Sequence, residues 1–184
     1  WIAIPTWLAQ EGVDIKVIGL FTLAQAPWTF KFAWSPLMDR YSLPIPRLGR
    51  KLGWALATQV ALLALTFWLA HLAHYPDTMW IIGTAALAIA FASASQDIAT
   101  DAYAVEVLRP EEQGVAVGAR MALYRAAMFT AGGLAITLAG QWSWSGVFVL
   151  LALCYVPMLV ITAAAPKPDE AAAPRGSRDS SAIP

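Results

Sequence analysis

The 184 residues are 59% apolar and only 13% charged, with 12 Lys and Arg balanced by 12 Asp and Glu. An ordinary soluble domain is about a quarter charged, so this composition excludes a typical soluble fold and places the chain in a bilayer. A formal charge of zero gives no global field toward nucleic acid or acidic partners, and the lone Cys154 excludes a disulfide framework or a thiolate metal site.

The opening WIAIPTWLAQEG has no initiator Met and only ten residues before Glu11, too few to cross a hydrocarbon layer of roughly 30 Å. It reads as the outer end of a first helix whose beginning is absent, so the chain is expected to be a fragment or a late gene start. Val17 to Met38 reads as the second span, carrying Lys31 and bent by Pro27 and Pro36, which a membrane helix tolerates where neighbours satisfy the freed backbone groups. Leu52 to Ala70 is the charge-free third span, and the fourth covers 78–106, uncharged until it enters SASQDIATDAYAVEVL with Asp97, Asp101 and Glu106. Between them His71 and His74 sit beside Tyr75 and Pro76; two ligands without carboxylate company suit a membrane interface better than a metal site. Pro110 fits the first position of a fifth helix and Glu111 and Glu112 fit its positive end, after which the apolar run reaches Gly140 despite Arg120 and Arg125. The sixth span, 142–165, is uncharged and opens with Trp142 and Trp144 at the expected interface. The remainder, 166–184, is rich in Pro, Ala, Ser and charge, and is expected to be a disordered cytoplasmic tail or a cut central linker.

Basic residues set the orientation. Arg40, Arg47, Arg50, Lys51, Arg109, Lys167, Arg175 and Arg178 fall on one side and Lys16 on the other, which puts the first set, and both chain ends, in the cytoplasm.

The ionisable groups are segregated. The third and sixth spans carry none apart from Cys154 and Tyr155, whereas the second, fourth and fifth carry Lys31, Asp97, Asp101, Arg120 and Arg125. A charge inside a bilayer costs about 2.5 to 3.5 kcal/mol on insertion scales, so the charged spans should face protein or water and the charge-free ones lipid. Counting from the turn at Arg109 gives relative depth. Asp97 lies twelve residues before it and Arg120 eleven after, so both should be level, roughly 17 Å from the cytoplasmic edge. Asp101 lies eight residues before the turn and Lys31 eight before Asp39, which makes those two level as well. Asp97 and Asp101, four apart, share one helical stripe that can meet cations on both neighbours. Arg125 is a turn deeper with only Ser93 and Ser95 opposite, so either an anionic ligand is its partner or its long side chain reaches down to Asp97. A carboxylate balanced between low dielectric and a nearby cation can load and release a proton, which makes Asp97 or Asp101 a candidate proton carrier. A structural alternative is that the whole cluster only fixes helix register.

SPLMDRY at 35–41 followed by GRK at 49–51 resembles the cytoplasmic loop motif of the major facilitator superfamily. The combination of FKFAWSPLMDRY, GRKLGW, SASQDIATDAY, RPEEQG and the YR of the fifth span resembles the AmpG-type muropeptide permeases and their relatives, the acetyl-coenzyme A transporters. The resemblance covers nearly all of 19–140. It implies an inner-membrane, proton-driven permease that carries anhydromuropeptides, breakdown products of the cell wall, from periplasm to cytoplasm. It also implies that the third and sixth helices sit outermost, and that Asp39, Arg40, Arg50 and Lys51 form a cytoplasmic gate. Two departures stand out: Leu123 replaces the Gly that commonly precedes the Tyr-Arg pair, and Ala104 replaces a basic residue after Tyr103. The family's salt link to Glu106 is therefore expected to be missing.

The expected fold is an all-α membrane bundle, the amino-terminal half of such a permease, with five full transmembrane helices plus the end of the first. Its substrate and proton pathway is expected to use Lys31, Gln96, Asp97, Asp101, Arg120, Tyr124 and Arg125. The implied partners are a muropeptide-like small molecule, protons, the bilayer and a carboxy-terminal six-helix half; neither cofactor nor metal nor nucleic acid is called for. Rival readings are an acyl-coenzyme A or other anionic cargo, and a half that is inert or serves assembly through the closely approaching GVAVG run at 114–118. A membrane aspartyl hydrolase is disfavoured because Asp97 and Asp101 point in parallel from one helix.

Overall fold

The computed structural model of the chain describes residues 3–41, 49–75 and 78–166, and every regular element among the described residues is helical. The short helix α1 (Ala3–Gln10) ends in a turn where Gly12 takes a left-handed φ of 76°, a conformation that glycine adopts without the steric cost of a Cβ. Asp14 then caps α2 (Ile15–Phe21), its carboxylate accepting from the Lys16 N–H at 2.8 Å.

The second span differs from the single helix expected over 17–38. It is a chain of pieces: α2, a 3₁₀ turn at Thr22–Gln25, α3 (Ala26–Phe30), a second 3₁₀ turn at Lys31–Ala33, and α4 (Ser35–Arg40). Pro27 and Pro36 each occupy the first turn of a new helix, because proline has no N–H for the preceding turn and its ring clashes with a carbonyl behind it. Among the described residues four helical stretches are long and apolar enough to cross a membrane: α5 (Gly49–Leu72), α6 (Met79–Val107), α7 (Pro110–Ala139), and α8 (Trp144–Leu153) continued by α9 (Tyr155–Ala163). The last pair is interrupted at Cys154, three residues before Pro157 removes another backbone donor.

α5 lies along α6 on one side and along α8 and α9 on the other. Small residues on α6, among them Ala85, Ala86, Ala90, Ala94 and Ala99, let the backbones approach. The main core joins Trp7 and Leu8 of α1, Phe21, Leu69 of α5, Ile82 of α6, Ala135 of α7 and Val147 and Phe148 of α8. Trp7 meets Phe148 edge-on, with ring centroids 5.5 Å apart. Trp144 opens α8. It is buried, and its indole N–H donates to Gln10 Oε1 at 2.9 Å, so α1 supplies the polar partner that water or headgroups would otherwise provide. Trp142 stays exposed.

A smaller cluster at the opposite end packs Met38, Ala55 and Ala99 with Trp34, Trp54 and Ile98. α5 keeps an apolar exposed stripe of Val60, Phe67 and Trp68, whereas α7 touches α1 and α8 and is bare over most of its length, with Leu123 70% and Phe129 78% exposed. The basic Arg47, Lys167, Arg175 and Arg178, and the tail expected beyond 166, lie outside the described residues.

Candidate functional site

The charged residues of three different elements converge on Asp97. Its carboxylate is largely covered, 16% exposed, and each oxygen takes a cation from a different neighbour. Lys31 Nζ, carried on the 3₁₀ turn, lies 2.7 Å from Oδ2. Arg120 of α7 donates to Oδ1 through one terminal nitrogen and pairs through the other with Oδ1 of Asp101, one turn along α6. The guanidinium therefore bridges two carboxylates of one stripe, a use of its planar fork that a lysine could not reproduce.

Asp97 and Arg120 meet, as their equal distance from Arg109 predicts. Lys31 does not pair with Asp101 but with Asp97, which corrects the depth count. The count assumed a continuous α-helix to Asp39, but Lys31–Ala33 is a 3₁₀ turn that rises about 2.0 Å per residue, and the helix restarts after Trp34, so Lys31 sits deeper. The long lysine stem covers the rest.

Trp34 fixes this arrangement. Its indole N–H donates to Ser95 Oγ at 3.2 Å and its ring packs on Phe91 at 4.7 Å, clamping the segment that carries Lys31 against α6. Ser95 in turn donates to the Phe91 carbonyl at 2.8 Å. One signal for this is legible in the sequence, a Trp three residues from Lys31, which places both on one side of a tight turn.

Gln96 is half-buried beside Asp97, and Tyr124, on the Arg120 face of α7, is exposed; neither side chain makes a hydrogen bond among the described residues. Arg125 is exposed and forms no ion pair among the described residues. The tie from Arg125 to Asp97 is not formed; the cations on Asp97 are Lys31 and Arg120.

At the end of the bundle expected to be cytoplasmic, Lys51 Nζ lies 2.5 Å from Glu106 Oε1 and 3.1 Å from the Ala102 carbonyl. Ala104 supplies no cation, as expected, but Glu106 is nonetheless paired, because α5 supplies Lys51 in its place. Lys51 and Asp39 line one small pocket with Met38, Trp54, Ile98, Ala99 and Ala102. Arg40 and Arg50 are exposed and do not join it, so the four expected gate residues are only half assembled. Nearby, the Tyr103 hydroxyl donates to the Pro166 carbonyl at 2.7 Å, holding the end of the last helix to α6.

His71 and His74 place their rings 6.3 Å apart, with His71 edge-on to Tyr75. No group of three or more metal-ligating side chains occurs among the described residues. The carboxylates of Asp97 and Asp101 are both engaged by Arg120, an arrangement suited to holding helices and handling charge.

A family model described as Major Facilitator Superfamily matches residues 1–183. The anhydromuropeptide permease of Escherichia coli K12 is 40% identical over 168 residues, covering 91% of this chain and 34% of the relative. An uncharacterized protein of Haemophilus influenzae is 38% identical over 162 residues, covering 86% of this chain and 37% of its own length. A Rickettsia bellii protein named as transporter AmpG 1 is 30% identical over 162 residues, covering 84% and 39%. The chain thus spans about a third of the length of the curated relatives it matches.

Proposed function

The chain belongs to the major facilitator superfamily, and from that premise we propose that it forms the amino-terminal bundle of a proton-coupled permease that carries anhydromuropeptides from periplasm to cytoplasm. It is part of a multi-pass, all-α membrane protein. In this proposal the membrane is the bacterial inner membrane, both chain ends are cytoplasmic, and a six-helix carboxy-terminal half supplies the second wall of the cavity. Superfamily transporters place cargo near the bilayer midplane between two such halves.

The observation that carries the reading is the ion network of Asp97, Asp101, Lys31 and Arg120, which ties three membrane segments through two acids. As drawn, it is electrically neutral. A proton arriving on either carboxylate removes one negative charge, leaves a cation short of a partner, and loosens α6 from α7 or from the Lys31 turn. Proton entry is thereby converted into helix movement, which is the coupling a symporter needs. Gln96 and Tyr124, whose polar groups are uncommitted, serve as donors toward the cargo. Asp39 and Lys51, with Arg40 and Arg50 at the rim, form the cytoplasmic gate, and Glu106 holds Lys51 in place. No bond is made or broken in the cargo.

The test uses cells deprived of their own permease and supplied with this bundle together with a carboxy-terminal half. Radiolabelled anhydromuropeptide should accumulate, a protonophore should abolish accumulation, and Asp97→Asn with Asp101→Asn should remove its pH dependence. Uptake that ignores the protonophore would refute proton coupling. Efficient competition by an acyl-coenzyme A but not by unlabelled muropeptide would move the cargo to the rival class.

A further inference from the structure

Away from their ends, where Glu106, Glu111 and Glu112 lie, the membrane spans hold five ionised side chains, three basic and two acidic: Lys31, Arg120 and Arg125 against Asp97 and Asp101. Four of them neutralise one another in the network described above. Arg125 is what remains: it is exposed on α7 and makes no ion pair among the described residues, so one positive charge at mid-membrane depth has no counter-ion there.

Its position makes that charge informative. Arg125 lies fifteen residues from Pro110 and fourteen from Ala139, the middle of α7, about 22 Å from either end. A guanidinium does not lose its proton there, and hydrocarbon does not accommodate it unpaired, so its face of α7 must meet water or a counter-ion. Five residues from Arg120 amounts to about 140° of helical rotation, which turns Arg125 away from the two aspartates on α6. The same face carries Gly118 seven residues earlier, and apart from its own stretch of helix nothing lies within 4 Å of where a Cβ at Gly118 would stand. The face is open. Tyr124 is next to Arg125 with an uncommitted hydroxyl and 60% exposure.

We propose that Arg125 is the anchor for a carboxylate of the cargo, an assignment that rests on the permease reading above. The guanidinium presents two parallel N–H groups to the two carboxylate oxygens, and binding restores neutrality at mid-membrane depth. Arg120, committed to Asp97 and Asp101, stays with the coupling network, so the two arginines of α7 divide the work: one holds protein acids, the other a ligand acid. The cargo class this favours is a molecule with a free carboxylate.

The test compares uptake of anhydromuropeptide having free peptide carboxylates with the same molecule converted to its amides, in the two-half system. The unmodified protein should prefer the acid, and Arg125→Gln should lower the acid-to-amide ratio about ten- to a hundredfold, the size expected for losing a charge-assisted bidentate contact. Arg125→Lys, which keeps the charge but not the fork, should retain part of the preference. Membrane abundance of each variant, measured by immunoblot, normalises the rates. A ratio unchanged by Arg125→Gln, or parallel loss of both cargoes, would overturn the assignment, the latter indicating that Arg125 pairs with a carboxylate of the protein. Failure of the unmodified protein to take up either cargo would sink the permease reading itself, and this assignment with it.

Discussion

Asp97→Asn tests the electrostatic heart of the bundle. The substitution keeps the shape of the side chain and deletes its charge, leaving Lys31 and Arg120 to share Asp101 alone. Removing one partner of a fully buried pair costs about 3 to 5 kcal/mol, and of an exposed pair about 0 to 1. Asp97 is 16% exposed, but its cations are 37% and 44% exposed, so solvent screens part of the loss and the cost should be about 2 kcal/mol. In a thermal melt of the detergent-purified protein that amounts to a drop of roughly 4 to 8 °C. Asp101→Asn should cost under about 1 kcal/mol, because Asp101 is 47% exposed and shares a cation that Asp97 already holds. Lys31→Met combined with Asp97→Asn should be less damaging than the sum of the two by about 1 kcal/mol, since each single change spoils the same contact. Additive effects, or an Asp101→Asn variant that melts lower than Asp97→Asn, would refute the reasoning.

Other substitutions probe the packing around the site. Phe148→Ala removes a ring that is 2% exposed and holds Trp7 and Trp144, and should cost about 3 to 5 kcal/mol in a chemical or thermal melt. Lys51→Gln and Glu106→Gln should each destabilise, and a double-mutant cycle should return a coupling of about 0.5 to 1 kcal/mol, reflecting a pair that is only partly shielded. Gln59 is buried with its amide N–H donating to Thr162 Oγ1 at 2.9 Å while Oε1 has no hydrogen-bond partner among the described residues. Gln59→Met should therefore stay within about 1 kcal/mol of the parent, whereas Thr162→Val, which strands the amide completely, should cost about 1 to 3; equal melting temperatures for the two would count against that accounting.

The sequence yielded the helical class, the superfamily and the meeting of Asp97 with Arg120 through composition, motif and residue counting. Those inferences need only the period of a regular helix and the cost of charge in hydrocarbon. What it hid were features that depend on departures from regularity or on distant partners. Lys31 was assigned to the wrong aspartate because proline-broken turns change the rise per residue. Nothing local to Trp144 announces Gln10, 134 positions away, as the acceptor of its indole N–H. Nothing on α6 itself announces the partner of Glu106, which Lys51 supplies from α5.

The broken second span and the ion network belong together physically. A continuous helix over 17–38 would place Lys31 about 1.5 Å nearer the end of the bundle, toward the level of Asp101, because each of the three 3₁₀ residues rises about 0.5 Å more than an α-helical one. By passing through this turn before the new helix at Pro36 the chain draws Lys31 inward, and the Trp34–Ser95 bond holds it there. The same breaks also make this the most deformable crossing of the bundle, since short helical pieces joined by 3₁₀ turns resist bending less than the long α5 or α6. An electrostatic tie of the membrane interior is thus fastened to its most broken segment, so that neutralising Asp97 should be felt first as movement of the Lys31 turn against α6 rather than as loosening of the α5–α6 pair.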